Sequence, residues 1–207
     1  MIPGQILLKE PKVHGDVETS TVVPFKNVLK NRWVLVSSLA VFAVTMVLGA
    51  LSSFLPLHAT SLGITELGAY FAAFSLMYMA GGYLSGTLSD RYGRKAVAAP
   101  SFLLVVLGLL ILTQLSGSFL LVMAGLFIGF GFGALNTALM ALVMDKTSLT
   151  ERSKAVSLFN NCFDLGTSLG AMLLGGVAAL SFGLLWVVLA GVSLVGFALI
   201  LFALPRK

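Results

Sequence analysis

Two groups of residues in this chain have the types and spacing to do chemistry. The first is the string Gly86-Thr87-Leu88-Ser89-Asp90-Arg91-Tyr92-Gly93-Arg94-Lys95. It sets four charged side chains and two glycines between two long apolar stretches. Charges held in so tight a turn cannot spread into solvent, so they pair with charges or helix ends on neighbouring elements. That is the chemistry of an electrostatic gate. The second group is Ser157, Asn160, Asp164, Thr167 and Ser168, which recur at helical spacing with Asn161 beside them. A single carboxylate among hydroxyls and amides can exchange a proton or hold a polar solute.

The elements that position these groups must be membrane helices. The chain of 207 residues is 58% hydrophobic and only 10% charged, with mean hydropathy +1.02; a soluble domain carries about 25% charge. A helix needs about 20 apolar residues to cross the hydrocarbon core. Six stretches qualify: Trp33–Leu55, Leu67–Leu88, Ala96–Leu115, Phe119–Met144, Ala155–Leu180 and Phe182–Leu204. Short connections make consecutive helices antiparallel neighbours. Residues 1–31, polar and punctuated by Pro3, Pro11 and Pro24, read as a linker with a short surface helix near Val22–Lys30. Residues 32–207 read as one six-helix bundle.

Charge distribution gives the orientation. The 13 Lys and Arg residues lie before the first stretch, in the second and fourth connections, or at the C-terminus. The positive-inside rule then predicts that both termini are cytoplasmic. The net charge of +5 needs no nucleic-acid partner, because the basic residues flank apolar spans and are not interleaved with aromatics on a polar surface. Cys162 is the sole cysteine, so no intrachain disulfide forms. His14 and His58 lack ligand spacing, so no metal or cofactor is expected, and no nucleophile–base pair of an enzyme is recognisable.

Asp164 is the one charged residue inside a predicted span. It falls about nine residues, or about 14 Å, past Ala155, near the midplane of a core about 30 Å thick. An Asp there costs about 2.5–3.5 kcal/mol on insertion scales, so it must face a cavity or a partner. Two readings remain open: a cavity wall touching substrate or a coupling proton, with Asn160 and Asn161, or a structural acid satisfied at a helix–helix contact. Asn136 is a further candidate for the cavity or for a bond to a neighbouring helix, and Tyr78 and Tyr83 are polar aromatic handles. Gly125, Gly129 and Gly133 at i, i+4, i+8, and Gly166 and Gly170 at i, i+4, have the spacing of close helix packing. Gly81, Gly82 and Gly86 read the same way.

The string Gly86–Lys95 resembles the signature loop of the major facilitator superfamily, G-x-L-[small]-D-R-x-G-R-[K/R]. Gly86, Leu88, Ser89, Asp90, Arg91, Gly93, Arg94 and Lys95 all match. The resemblance implies an all-α membrane protein, one half of that fold, built as a 3+3 repeat of helices. The chain then corresponds to the tail of the central loop plus the C-terminal half. It implies that Arg91 and Arg94 pair with Asp145 to latch the cytoplasmic side. Asp90 would meet a helix N-terminus of the other half. The run from Gly166 to Gly176 is similar to the family's antiporter signature, but Ala171 stands where proline belongs, and antiport is not inferred. The implied function is secondary transport by alternating access, driven by an ion gradient, since no nucleotide-binding G-x-x-x-x-G-K-[S/T] is present. One buried acid and no buried Lys or Arg favour efflux of apolar or amphiphilic solutes. The expected partners are lipid, a small-molecule substrate, and an N-terminal six-helix half or a second copy. The alternative is a truncated module in the plasma membrane that pairs with another membrane protein without transporting.

Overall fold

The computed structural model describes residues 25–203. Most of the expected linker, the start of the helix expected at Val22–Lys30, and Leu204, Arg206 and Lys207 lie outside them. The described residues form α1 (Phe25–Lys30), α2 (Arg32–Ser61), α3 (Leu67–Tyr92), α4 (Arg94–Thr113), α5 (Ser118–Asp145), α6 (Leu149–Leu173), α7 (Gly175–Leu180) and α8 (Phe182–Ala203). α6 and α7 are two parts of one span, so six helices are long and apolar enough to cross a membrane.

Local chemistry sets the ends. Asn31 caps α2: its Oδ1 accepts from the Trp33 amide at 3.0 Å. At the other end the Gly63 amide bonds the Thr60 carbonyl and the Ile64 amide bonds the Ala59 carbonyl. With Gly63 at φ +73°, this is a Schellman stop. Between α3 and α4 only Gly93 intervenes, at φ +91° and ψ +148°, a backbone region that only glycine enters readily. The tight turn expected from the sequence is thus a single residue. α6 begins at Leu149, six residues before the apolar stretch expected at Ala155, and α2 runs on to Ser61 past Leu55. Hydropathy marks the hydrocarbon core, whereas these helices project beyond it.

The packing carries an internal two-fold. If α2, α3 and α4 are exchanged with α5, α6–α7 and α8, the main contacts map onto one another. α3 packs on α5 as α6 packs on α2, and α4 packs on α5 as α8 packs on α2. The contacts α2–α5 and α4–α8 map onto themselves. That is the 3+3 repeat that the resemblance implies.

Glycines make the first pair of contacts close. A Cβ at Gly129 or Gly133 would run into the carbonyl oxygen of Phe74 or Tyr78, and one at Gly125 would press on Tyr70. On the symmetry-related contact a Cβ at Gly166 or Gly170 would strike the Phe42 or Met46 carbonyl. Gly81 meets the Phe130 carbonyl in the same way, whereas a Cβ at Gly86 would meet nothing. Gly81 therefore packs as expected and Gly86 does not.

The core lies along α2 and α5. In the most apolar stretch of each span, 72% of α2 and 56% of α5 is buried, against 11% of α3 and 22% of α6–α7.

Candidate functional site

All thirteen basic residues were expected on one face of the membrane, and the described ones cluster at one end of the bundle, here called the basic end. Arg94 is its hub. Its Nη1 lies 2.6 Å from Asp90 Oδ1 and its Nε 2.9 Å from Asp145 Oδ2. Nη1 also donates to Ser89 Oγ at 2.5 Å. One planar guanidinium so joins the end of α3, the start of α4 and the end of α5. Arg94 opens α4 and Asp145 closes α5, and each sits at the helix end its charge disfavours. Helix electrostatics would not place either residue there; their mutual pairing accounts for both. The two carboxylates are more than half exposed, or close to it, and exposed pairs are worth about 0–1 kcal/mol each, so the cluster can be broken cheaply.

The other loop residues divide. Lys95 Nζ donates to the Leu201 carbonyl at 2.7 Å, tying α4 to the last turn of α8, where a cation is favoured. Arg91 was expected to pair with Asp145 and instead lies over the Tyr92 ring at 5.4 Å. It follows Asp90 on α3 and so points about 100° away from it. Gly93 makes the turn described above, and the Gly86 carbonyl accepts a bond from Ser89 Oγ at 3.2 Å.

Sequence reasoning missed the fittings behind Asp145. Asn31 Nδ2 donates to the Lys146 carbonyl at 2.8 Å, and Lys146 Nζ sits over the Trp33 ring at 4.8 Å. Arg152 Nη2 donates to the Met144 carbonyl at 3.3 Å. The end of α5 is therefore held from both the start of α2 and the start of α6. Asn31 directly ahead of the first span was the available signal.

Further into the bundle α2, α3, α5 and α6 converge on a cavity of about 290 Å³, lined by Leu48, Phe74, Ser75, Tyr78, Met79, Phe132 and Phe163. The Phe132 ring lies 6.5 Å from Phe74, 6.0 Å from Tyr78 and 6.3 Å from Phe163, the last edge-on at 80°. Asn136 Nδ2 donates to the Tyr78 hydroxyl at 3.1 Å. Of the residues singled out in the sequence, the structure thus brings Tyr78 and Asn136 together. It adds Phe74, Phe132 and Phe163, and the i, i+4, i+8 run Tyr70, Phe74, Tyr78 was a readable hint for the first of them alone.

Asp164 adjoins this cavity through Phe163 without lining it. Ser157, Asn160, Asn161, Asp164 and Ser168 are exposed, while Ala155, Phe159, Gly166 and Gly170 on the opposite side of α6 are buried. The polar stripe therefore faces away from α2. Asp164 has no hydrogen-bond or ion-pair partner among the described residues, so the contact that would satisfy a structural acid is not found within this bundle. Among the described residues no group of three His, Cys, Asp or Glu side chains is placed to hold a metal.

Residues 34–207 match the model of the Major Facilitator Superfamily. The chain is 25% identical to the staphylopine export protein of Staphylococcus aureus (strain Mu50 / ATCC 700699), over 83% of this chain and 45% of that protein. It is 26% identical to the hexuronate transporter of Bacillus subtilis (strain 168), over 62% of this chain and 33% of that protein. The chain thus spans less than half the length of the curated relatives it matches.

Proposed function

The chain belongs to the Major Facilitator Superfamily, and we propose that it supplies one six-helix wall of a secondary transporter that works by alternating access. One observation carries this reading. α3 and α6–α7 are the least hydropathic spans, at 1.2 and 1.5, and also the least buried. A span that faced lipid on most of its surface would be among the most apolar. These two therefore face water or a second bundle, and an N-terminal six-helix half or a second copy of the chain fits that need.

In this reading the basic end faces the cytoplasm, following the positive-inside rule, in a plasma membrane. The Asp90–Arg94–Asp145 cluster closes that end, with Arg91 and Lys95 flanking it. Its exposure suits a contact that must break and re-form in each cycle. The stripe Asn160, Asn161, Asp164 lines the path between the two halves. Asp164, costly in hydrocarbon and unpartnered in its own bundle, takes a proton or touches the solute. Solutes leave the cell with an ion gradient as the driving force. The same two unburied faces admit a second reading, a module that pairs with another membrane protein without transporting.

Tagging the chromosomal gene after Lys207 and immunoblotting membranes separates these. A band about twice the mass of this chain, with efflux lost on deletion, supports the transporter. A band at the mass of this chain, with no change in uptake or efflux on deletion, refutes it.

A further inference from the structure

We propose that the corner where α1, α2, α5 and α6 meet at the basic end is a docking site for the phosphodiester headgroup of an anionic phospholipid, held by Arg32, Lys146 and Arg152, with one acyl chain laid along α2. The proposal does not depend on the transporter reading; it stands on this surface alone.

Charge comes first. Asn31 Nδ2 bonds the Lys146 carbonyl at 2.8 Å and Arg152 Nη2 the Met144 carbonyl at 3.3 Å, so the fold brings Lys30, Arg32, Lys146 and Arg152 to one corner. Among the described residues no carboxylate pairs with any of these four. The acids beside them are engaged elsewhere: Asp145 binds Arg94, and Glu151 accepts from Ser148 Oγ at 3.1 Å. Like charges gathered this way repel one another unless an anion lies among them. Lys30, Arg32 and Arg152 are exposed and Lys146 is half-buried, so an anion reaches them without any change in the fold.

Depth selects a lipid over an acidic protein segment. Arg32 and Trp33 open α2, and Lys146 directly follows α5, the level at which headgroups meet a span. Lys146 Nζ lies over the Trp33 ring at 4.8 Å, and an indole at the end of a span is an interfacial anchor. Below the cations the surface is apolar. Arg32, Leu35 and Leu39 recur at i, i+3, i+7 on one face of α2. Leu35 and Leu39 are 39% and 44% exposed, on a helix that is otherwise largely buried. This face runs about 10 Å inward from Arg32, a track for an acyl chain that a hydrophilic partner could not use. A lipid seated here braces the end of α5 beside the gate carboxylate Asp145.

The test is tryptophan quenching on the full chain in lipid nanodiscs. Phosphatidylglycerol or phosphatidylcholine, each brominated near the head of one acyl chain, replaces part of a phosphatidylcholine bilayer. Of the two tryptophans, Trp186 is fully buried, and Trp33→Phe supplies the background to subtract. Brominated phosphatidylglycerol is expected to quench Trp33 with about fivefold higher affinity than brominated phosphatidylcholine, the worth of one basic residue near an anionic surface. Arg32→Gln combined with Arg152→Gln is expected to bring this ratio within about twofold of parity. Arg91→Gln, which removes a charge of the same end on α3, should keep it. Each variant is first checked for the wild-type melting temperature. Arg32→Gln, at an exposed side chain with no bond to lose, stands alone if the double variant melts early, and is expected to halve the ratio or more. Equal quenching by the two lipids in the wild type overturns the proposal and leaves the corner to an acidic protein surface. A ratio that survives the double variant, or that falls equally in Arg91→Gln, means general attraction to the basic end and overturns it as well. Soluble glycerol phosphate is expected to leave the ratio unchanged; if it abolishes the ratio, the corner takes a free phosphoester and the lipid assignment fails. Lipid preference in a chain that supports no transport would refute the transporter reading and leave this site standing; transport without such preference would do the reverse.

Discussion

α3 and α6 occupy equivalent places in the internal repeat and present opposite faces. Each packs on a central helix through glycines that leave no room for a Cβ, and each is largely unburied on its other side. On α3 that side is apolar and aromatic: Leu76, Met79 and Tyr83 are 63%, 72% and 78% exposed. On α6 it is Ser157, Asn160, Asn161, Asp164 and Ser168. The repeat therefore fixes where a helix stands and how closely it packs, while its free face is left to specialise. One edge of the bundle offers rings and the other a carboxylate, with the aromatic cavity between them.

The shared part of this comparison breaks with the largest effect. Gly133→Leu on the α3–α5 contact and Gly170→Leu on the α2–α6 contact each force a side chain into a carbonyl of the facing helix. Overpacking of this kind costs about 1–3 kcal/mol even where neighbours can yield, and backbone yields little. Each variant is expected to lower folded protein about tenfold or more, a change of about 1.4 kcal/mol or above, read by size-exclusion chromatography of solubilised membranes. Gly86→Leu is the internal control. It meets open space and is expected to leave yield within about twofold; an equal loss there would mean that the string Gly86–Lys95 is packed after all.

The faces that differ should separate function from folding. Asp164→Asn keeps shape and removes charge, and Leu76→Ser changes an exposed side chain on α3 that does not line the cavity. Transport is expected to fall at least about tenfold for Asp164→Asn, the range in which a lost general acid–base group falls short of its usual effect. Protein level should be normal, and Leu76→Ser should stay within about twofold. Unchanged transport in Asp164→Asn removes that residue from the mechanism.

Much of this contrast was legible in the sequence and part of it was not. The spacing of Gly125, Gly129 and Gly133 announces a contact because three residues at i, i+4, i+8 share one helix face whatever the partner. The stripe around Asp164 was visible for the same reason. Its direction was not, because which way a face points depends on the helix packed behind it, here α2. The aromatic cavity was hidden for a related reason: its rings come from three helices, Phe74 and Tyr78 on α3, Phe132 on α5 and Phe163 on α6, and meet only through the fold. The gate string was readable as a unit, yet the partition between Arg94 and Arg91 required the actual turn at Gly93. Helix ends were misplaced where polar residues such as Thr150, Glu151 and Arg152 continue a helix past the apolar stretch.

The gate gives a smaller effect. In a double-mutant cycle of Arg94→Ala and Asp145→Asn, the coupling in thermal stability is expected at about 0.5–1 kcal/mol, as for other exposed pairs. Arg91→Ala with Asp145→Asn should show none, since Arg91 rests on Tyr92. Coupling at Arg91 and not at Arg94 would reassign the hub.

An effect of similar size concerns how the start of α2 is tied to Asp145. Asn31 does two things with one amide: Oδ1 caps α2, and Nδ2 holds the carbonyl of Lys146, next to Asp145. Asn31→Ala removes both, and loss of such a cap costs about 1 kcal/mol. Asn31→Asp keeps the cap acceptor but loses the donor, and sets an oxygen against the Lys146 carbonyl. Hydrogen exchange reads the two separately. In Asn31→Ala the Trp33 amide is expected to lose protection, and so are the amides of the last turn of α5. In Asn31→Asp the Trp33 amide should stay protected while the end of α5 loosens alone. Loosening of neither end in Asn31→Asp would mean that Lys146, through its cation–π contact with Trp33, suffices to hold α5. The entry of the chain and the gate carboxylate would then be coupled through charge and ring, with the amide bond incidental to it.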